Sequence, residues 1–295
     1  MYLEYTVTNN QYYNIKEIIK SHFNISDRLL TKLKKNKKIY LNNENAYVDK
    51  KVKIGDIIKV DLKFEETSSN IVPIKSNLEI LFEDEWLLIV NKPSNMPVHP
   101  SMLHFEDSLS NIIQYYYNLI NLKTKIRPVN RLDKDTSGIV IFAKNEYIQE
   151  CLVQQMKLHN FKKEYYAILN GNINEKNQII NAPISRKENS IIERVVNPNG
   201  DIAISHLEVI KNFDYQKTQL AFVKYILETG RTHQLRVHSQ YIGHPILGDT
   251  LYGFSSEFIE RQALHAFKIT FVHPIEKKIC TFESPIPNDM KKIIN

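Results

Sequence analysis

Arg131, Leu132 and Asp133 stand just ahead of Gly138-Ile-Val-Ile-Phe-Ala143, an apolar run that predicts a buried strand. Lys134 and Asp135 complete a cluster of charge at the strand's entrance. A carboxylate at the edge of an apolar sheet is costly to keep ionised unless a cation holds it. The chain offers cations elsewhere, in Thr229-Gly-Arg-Thr-His-Gln-Leu-Arg-Val-His238, which carries Arg231, His233, Arg236 and His238. An Asp133 kept charged by an arginine from 231–236 is suited to act as a nucleophile or a base. A structural ion pair bracing two segments accounts for the same residues. Spacing alone leaves both readings open.

Of the chain's 8 Gly, Gly230, Gly243, Gly248 and Gly253 fall in one short stretch. A helix is predicted near 232–242, preceded by Gly230 and ended by Gly243 and Pro245. On such a helix Thr232 and Arg236 share a face. His233 and His238 do not have the i, i+4 spacing of paired ligands, and no HExxH or paired CxxC occurs, so no metal is expected. Phosphate-loop, dinucleotide and GxSxG motifs are absent, so no nucleotide cofactor is expected.

The elements that must position these residues fall into two parts. Residues 1–64 predict a small α/β unit. Ile15, Ile18 and Ile19, then Leu29, Leu30 and Leu33, have helical spacing, with Ser26-Asp27 as a cap between them. Strands are predicted at Ile39–Leu41, Ala46–Val48 and Ile57–Val60. Residues 65–77 are polar, contain a proline and read as a linker. Residues 78–295 predict a mixed, mainly antiparallel α+β domain, because strict strand–helix alternation is missing. Its strands include Leu78–Phe82, Trp86–Val90, Tyr165–Leu169, Leu220–Leu227 and Ile269–Val272, with helices near 109–120, 146–158 and 232–242.

At 42% hydrophobic and 24% charged, the composition is that of a globular protein. No apolar run is long enough to span a membrane, and no basic-then-apolar start marks a secretory signal. Cys151 and Cys280 form no paired motif, which suits a reducing, cytoplasmic setting. The net charge is +6, and its clustering matters more than its size. Arg28, Lys32, Lys34, Lys35, Lys37 and Lys38 concentrate on one short segment and predict a phosphate-binding, sequence-blind RNA contact. A solvated lysine face is the plainer alternative.

Two resemblances extend this reading. Ser26-Asp-Arg-Leu-Leu-Thr-Lys-Leu-Lys-Lys35 and the short strands after it resemble the S-four RNA-binding domain. Residues 127–144, RPVNRLDKDTSGIVIFAK, resemble the signature of the RluA-type pseudouridine synthases, usually His-Arg-Leu-Asp followed by Thr-Ser-Gly. FKKEYYAIL, TGRTHQLRVHSQYIGHPILGDTLYG, RQALHAFKITFVHP and LEILFEDEWLLIVNKPSNMPVHPS resemble further blocks of that family, in order from residue 78 to about 290.

The resemblance implies a pseudouridine synthase fold and isomerisation of uridine in RNA without a cofactor. Asp133 would be the catalytic aspartate, Tyr165 the tyrosine beside the uracil, and Arg236 the partner of Asp133. Arg131 would hold the target nucleotide out of its helix, and Leu264 would wall the base pocket. Arg231 and His233 would lie at the substrate. Asn130 replaces the family's usual histidine, cannot titrate near neutral pH, and is expected to orient only. A leading S-four domain implies large ribosomal RNA as substrate, with transfer RNA second, for a cytoplasmic monomer. Two other functions remain open: an assembly factor without activity, and a hydrolase with Asp133 as nucleophile and Asp135 or Asp249 as second carboxylate.

Overall fold

The structure is a computed structural model and describes residues 1–68, 70–102 and 104–295. Its first part contains β1 (Tyr2–Thr6), α1 (Ile15–Glu17) running into a π turn (Ile18–His22), α2 (Asp27–Lys35), β2 (Ile39–Leu41), β3 (Glu44–Asn45) and β4 (Ile57–Asp61). The strands form one antiparallel sheet in the order β1-β4-β2-β3. Ser26 caps α2 as expected, its hydroxyl accepting from Leu29 N at 3.3 Å. The strand expected at Ala46–Val48 lies earlier, at Glu44–Asn45. Asn42 and Asn43 both take positive φ, 51° and 69°, which closes a tight hairpin and starts the return strand at once. β1 was not foreseen.

Residues 65–77 contain no helix or strand, and Ser69 lies outside the described residues. The segment is nonetheless laid down on its neighbours. Glu66 pairs with Lys32 and Arg127, Ser68 Oγ accepts from Ile126 N, and Ile74 N donates to Asn111 O.

The second part holds β5 (Glu79–Glu83), β6 (Leu87–Lys92), α3 (Leu109–Leu119), β7 (Ser137–Ala143), α4 (Glu146–Lys157), β8 (Lys162–Asn170), β9 (Asn177–Asn181), β10 (Ile184–Arg186) and β11 (Arg194–Val196). It continues with β12 (Ile204–Tyr215), β13 (Thr218–Leu227), α5 (Gln234–Tyr241), β14 (Leu264–Val272), β15 (Ile279–Glu283) and α6 (Asn288–Ile294). One sheet runs β5-β6-β7-β14-β8-β13-β12-β9, with β15 on β14. Every pairing in it is antiparallel except β7 with β14. The fold is therefore mixed α+β and mainly antiparallel, as the sequence predicts. β10 and β11 make a separate ribbon.

β7 is buried along its whole length because both its faces meet apolar layers. Val140 and Phe142 enter a core shared with Tyr165, Leu235 and Leu264. Ile139, Ile141 and Ala143 enter a second core, shared with Ile15, Ile19, Leu29 and Leu33 of the first part and with Ile148 and Leu152 of α4. Each such side chain contributes about 1.5–3 kcal/mol on leaving water. One strand thus ties the N-terminal elements to the sheet that carries the charged loop.

Gly138 sits where β7 meets β14 in parallel. Its φ is +117°, and a Cβ there would lie 2.2 Å from the Ala266 carbonyl oxygen. Gly138→Ala is expected to cost more than about 3 kcal/mol, from clash and strain together. Gly55→Ala, also at positive φ but facing open space, is expected to cost about 1 kcal/mol. Urea unfolding of the two variants checks the contrast.

Candidate active site

Asp133 lies at the tip of a loop that folds back onto β7. Residues 127–130 run beside that strand: Val129 N donates to Ile141 O, and Ala143 N to Arg127 O. Asn130 completes the pairing with its side chain, giving Nδ2–H to Ile139 O and accepting from Ile141 N, both at 2.9 Å. Its amide is therefore spent on the strand. That agrees with an orienting part, and Asn130 also lines the cavity in front of Asp133.

The loop is pinned from the other side. Lys92, buried at the end of β6, donates to the carbonyls of Pro93, Met96 and Lys134 at 2.7–3.0 Å. Burial pushes the Lys92 pKa down to about 7, against the opposing charges of Asp135 and Asp133. Arg261 donates to Asp135 O, Gln262 to Thr136 Oγ1, and Ser137 Oγ meets His265 Nδ1 at 2.9 Å. Such bracing holds a reactive group in one place without reorganisation.

Arg236 reaches Asp133 from α5, as the sequence predicts, but the contact is single and long: Nη1 to Oδ2, 3.4 Å. The two-pronged bond goes to Asp249 instead, Nε to Oδ2 at 2.7 Å and Nη2 to Oδ1 at 2.8 Å. Asp249 is wholly buried and also accepts from the amides of Leu251 and Tyr252. Burial alone lowers the arginine's pKa, but the Asp249 pair more than offsets it, so the net direction is upward. Asp133 keeps 30% of its side chain exposed, and its Oδ1 has no donor among the described residues.

α5 begins at Gln234, two residues later than expected, so Thr232 precedes the helix and shares no helical face with Arg236. The Gln234 amide folds back on the turn, accepting from Thr229 Oγ1 and Arg231 N and donating to Ile204 O and Ser205 Oγ. His233 takes φ +57° at the cap. Its Nδ1 lies 2.9 Å from Tyr252 Oη and its Nε2 3.9 Å from Asp133 Oδ2. Burial lowers its pKa, with Asp133 opposing and Arg236 reinforcing. His238 is a core residue held by Ser205 and Ala182 O.

A cavity of about 630 Å³ opens in front of Asp133, within the size of small-ligand sites. Pro97, Val98, Tyr165, Leu235 and Leu264 wall it, and Arg131, Lys163, Arg231, His233 and Arg236 bring positive or polar groups. Arg131 is exposed; Arg231 donates through Nε to Ile202 O. Burial, and then the charge of Asp133, raise the pKa of Tyr165 above its ordinary value. Asp249 is spent on Arg236, and Asp135 lines a different cavity with Arg261 and Asp289. Neither stands as a second carboxylate beside Asp133.

A larger cleft, about 1330 Å³, lies between residues 20–32 and α4 and includes none of Asp133, Tyr165 or Arg236. Beside it lies the basic segment. Arg28 pairs with Glu146, Lys32 with Glu66 and Glu146, and Lys38 with Asp61. Lys32 and Lys38 are partly neutralised in this way, while the Arg28 side chain stays exposed. Lys34, Lys35 and Lys37 are exposed and have no carboxylate partner among the described residues.

The site has the makings of an enzyme's: a braced carboxylate with one free oxygen faces a cation-flanked cavity roomy enough for a nucleotide. The family model for RNA pseudouridylate synthase matches residues 86–241. The uncharacterized RNA pseudouridine synthase YhcT of Bacillus subtilis is 39% identical, over 94% of this chain and 90% of that protein. Ribosomal large subunit pseudouridine synthase D of Yersinia pestis is 34% identical, over 83% and 78%. Among solved structures, human RNA pseudouridylate synthase domain containing 1 aligns with a TM-score of 0.61 at 26% identity, over 71% of this chain and 83% of that one. The chain belongs to the RNA pseudouridylate synthase family, and its reaction is the isomerisation of uridine in RNA.

Asp249 and Lys92 are the residues that sequence reading missed in their present roles. Asp249→Asn keeps the volume but leaves Arg236 buried without its counter-charge. It is expected to cost about 3 kcal/mol in urea unfolding and to lower turnover, because the guanidinium loses its fixed direction.

Proposed function

We propose that this protein isomerises uridines of large-subunit ribosomal RNA, with Asp133 as the catalytic carboxylate. The observation that carries the assignment is Asp133 itself: braced through its loop, steadied at Oδ2 by Arg236, and open at Oδ1 toward the cavity. The choice of RNA rests on relatives whose names specify the ribosomal large subunit.

In the reaction the bond from ribose C1′ to uracil N1 breaks, the base turns, and C1′ bonds to C5, which gives up its proton. Atoms balance within one nucleotide. Asp133 can begin by attacking the ribose, by attacking the base, or by assisting departure of the base while a ribose proton is taken. Each route uses an open carboxylate oxygen next to an extruded nucleotide. Extrusion costs a few kcal/mol, less in a loop. Arg131, exposed at the cavity mouth, is placed to hold the flipped nucleotide out, and Tyr165 and Leu264 to take the ring between them.

Pseudouridine mapping of ribosomal RNA from cells with and without the gene is expected to show at least one lost position. With purified protein, Asp133→Asn is expected to lower tritium release from C5-labelled uridine by a factor of about 10³ or more while RNA binding stays. Tyr165→Phe is expected to stay within about tenfold of the parent, since stacking survives. Full turnover in Asp133→Asn would remove the assignment.

The N-terminal elements contribute RNA affinity through Lys34, Lys35 and Lys37. Replacing these with alanine is expected to flatten the dependence of log affinity on log salt by up to about 2–3 in slope, without loss of single-turnover rate at saturating RNA. Filter binding across salt concentrations measures it.

A further inference from the structure

Five buried cations of this molecule have partners: Lys92 three carbonyls, Arg127 Glu66, Lys144 Glu83, Arg236 Asp249 and Arg261 Asp289. Lys163 is different. It lines the Asp133 cavity and is half-buried, yet its ammonium has no hydrogen-bond or carboxylate partner among the described residues. Burial pushes its pKa down, and no carboxylate opposes the shift. Sheltering a cation without a partner is costly, and such a group ordinarily acquires one.

Two features give the lysine a direction. On β8 it lies two residues before Tyr165, so both side chains leave the same face of the strand, roughly 7 Å apart. Its head packs on Gly230, where a Cβ would stand 2.9 Å from Nζ. The Gly230 backbone does not take the left-handed conformation, so the missing side chain there leaves room for the ammonium. Lys163, Tyr165 and Asp133 line one cavity, so a nucleotide entering it meets all three side chains.

We propose that Lys163 is a phosphodiester anchor, its ammonium taking an RNA backbone phosphate beside the flipped nucleotide in the space left by Gly230. The proposal rests on the RNA-isomerase reading. It adds a fixed point near the base, so that Tyr165 and Lys163 grip one nucleotide at its ring and its phosphate. A lysine suits this use, because a compact ammonium serves a phosphate as a point charge. A hydrogen bond from the same ammonium to a uracil carbonyl is the competing contact, and salt separates the two.

The test uses the full chain, a transcript of large-subunit ribosomal RNA, and the variants Lys163→Met and Lys163→Arg. Lys163→Met is expected to bind about tenfold more weakly at low salt, with the slope of log affinity against log salt shallower by about 0.7–0.9. KM should rise more than kcat falls. Lys163→Arg should restore the parent slope. Melting without RNA should show Lys163→Met as stable as the parent or more so, since an unpartnered charge has gone. A weaker Lys163→Met with an unchanged slope would point to the uracil carbonyl and overturn the proposal. Loss of melting temperature with no change in RNA binding would overturn it as a structural lysine. Turnover is read in parallel: a parent that binds but does not isomerise overturns the functional reading, while the slope comparison still decides Lys163.

Discussion

The fork between Arg236 and Asp249 is the constraint on which the site depends. A guanidinium has five donors in a rigid plane, and fixing two of them fixes the direction of the rest. Asp249, buried and itself held by two backbone amides, takes the Nε and Nη2 edge. What remains is Nη1, which points at one oxygen of Asp133 from 3.4 Å. The contact biases the carboxylate without consuming it. A two-pronged bond to Asp133 would have occupied both oxygens and left nothing for a substrate. Separating the anchor from the reactive group lets one arginine be rigid on one side and permissive on the other.

The same logic sets the loop. Asp133 is aimed mainly through the backbone of its loop, with one long contact from Arg236 to its own side chain. Lys92 collects three carbonyls, Arg261 takes Asp135 O, and Asn130 replaces part of a strand with its amide. All of these hang on β7, whose two faces feed two different cores. The N-terminal helices therefore pack against the back of the strand that carries the catalytic loop at its front. The ion pairs of Arg28 and Lys32 with Glu146 and Glu66 add to that packing at its rim.

Much of this was legible in the sequence where signals were local. The apolar run 138–143, the Ser26 cap, the helices at 109, 146 and 234 and the antiparallel character follow from periodicity and short-range chemistry. So did the convergence of Asp133, Tyr165, Arg236 and Leu264 on one cavity, through motif order. What stayed hidden was long-range. The bidentate partner of Arg236, Asp249, lies in a glycine-rich turn and was read only as a possible second carboxylate. The start of α5 depends on the Gln234 amide reaching back to Thr229 and across to Ile204. Charge counting along the basic segment also does not see Glu66 or Glu146 arriving from other elements to pair with Lys32. The shift of β3 turns on a two-asparagine hairpin whose positive φ values are not visible as periodicity, and β1 is held by its pairing with the distant β4.

Charge is thus divided by depth, and the division has a chemical sense. Lys34, Lys35, Lys37 and Arg131 are exposed, where water and salt screen their charge. Lys92, Arg236 and Arg261 are satisfied inside the protein and shape the loop. Between these layers the cavity must be apolar enough to accept a ring and polar enough to keep a carboxylate charged. Tyr165 illustrates the compromise: the burial that makes it a good platform for a base also raises its pKa and keeps its proton on. Asp133 meets the same compromise from the other side, part exposed at the cavity while Arg236 steadies one of its oxygens.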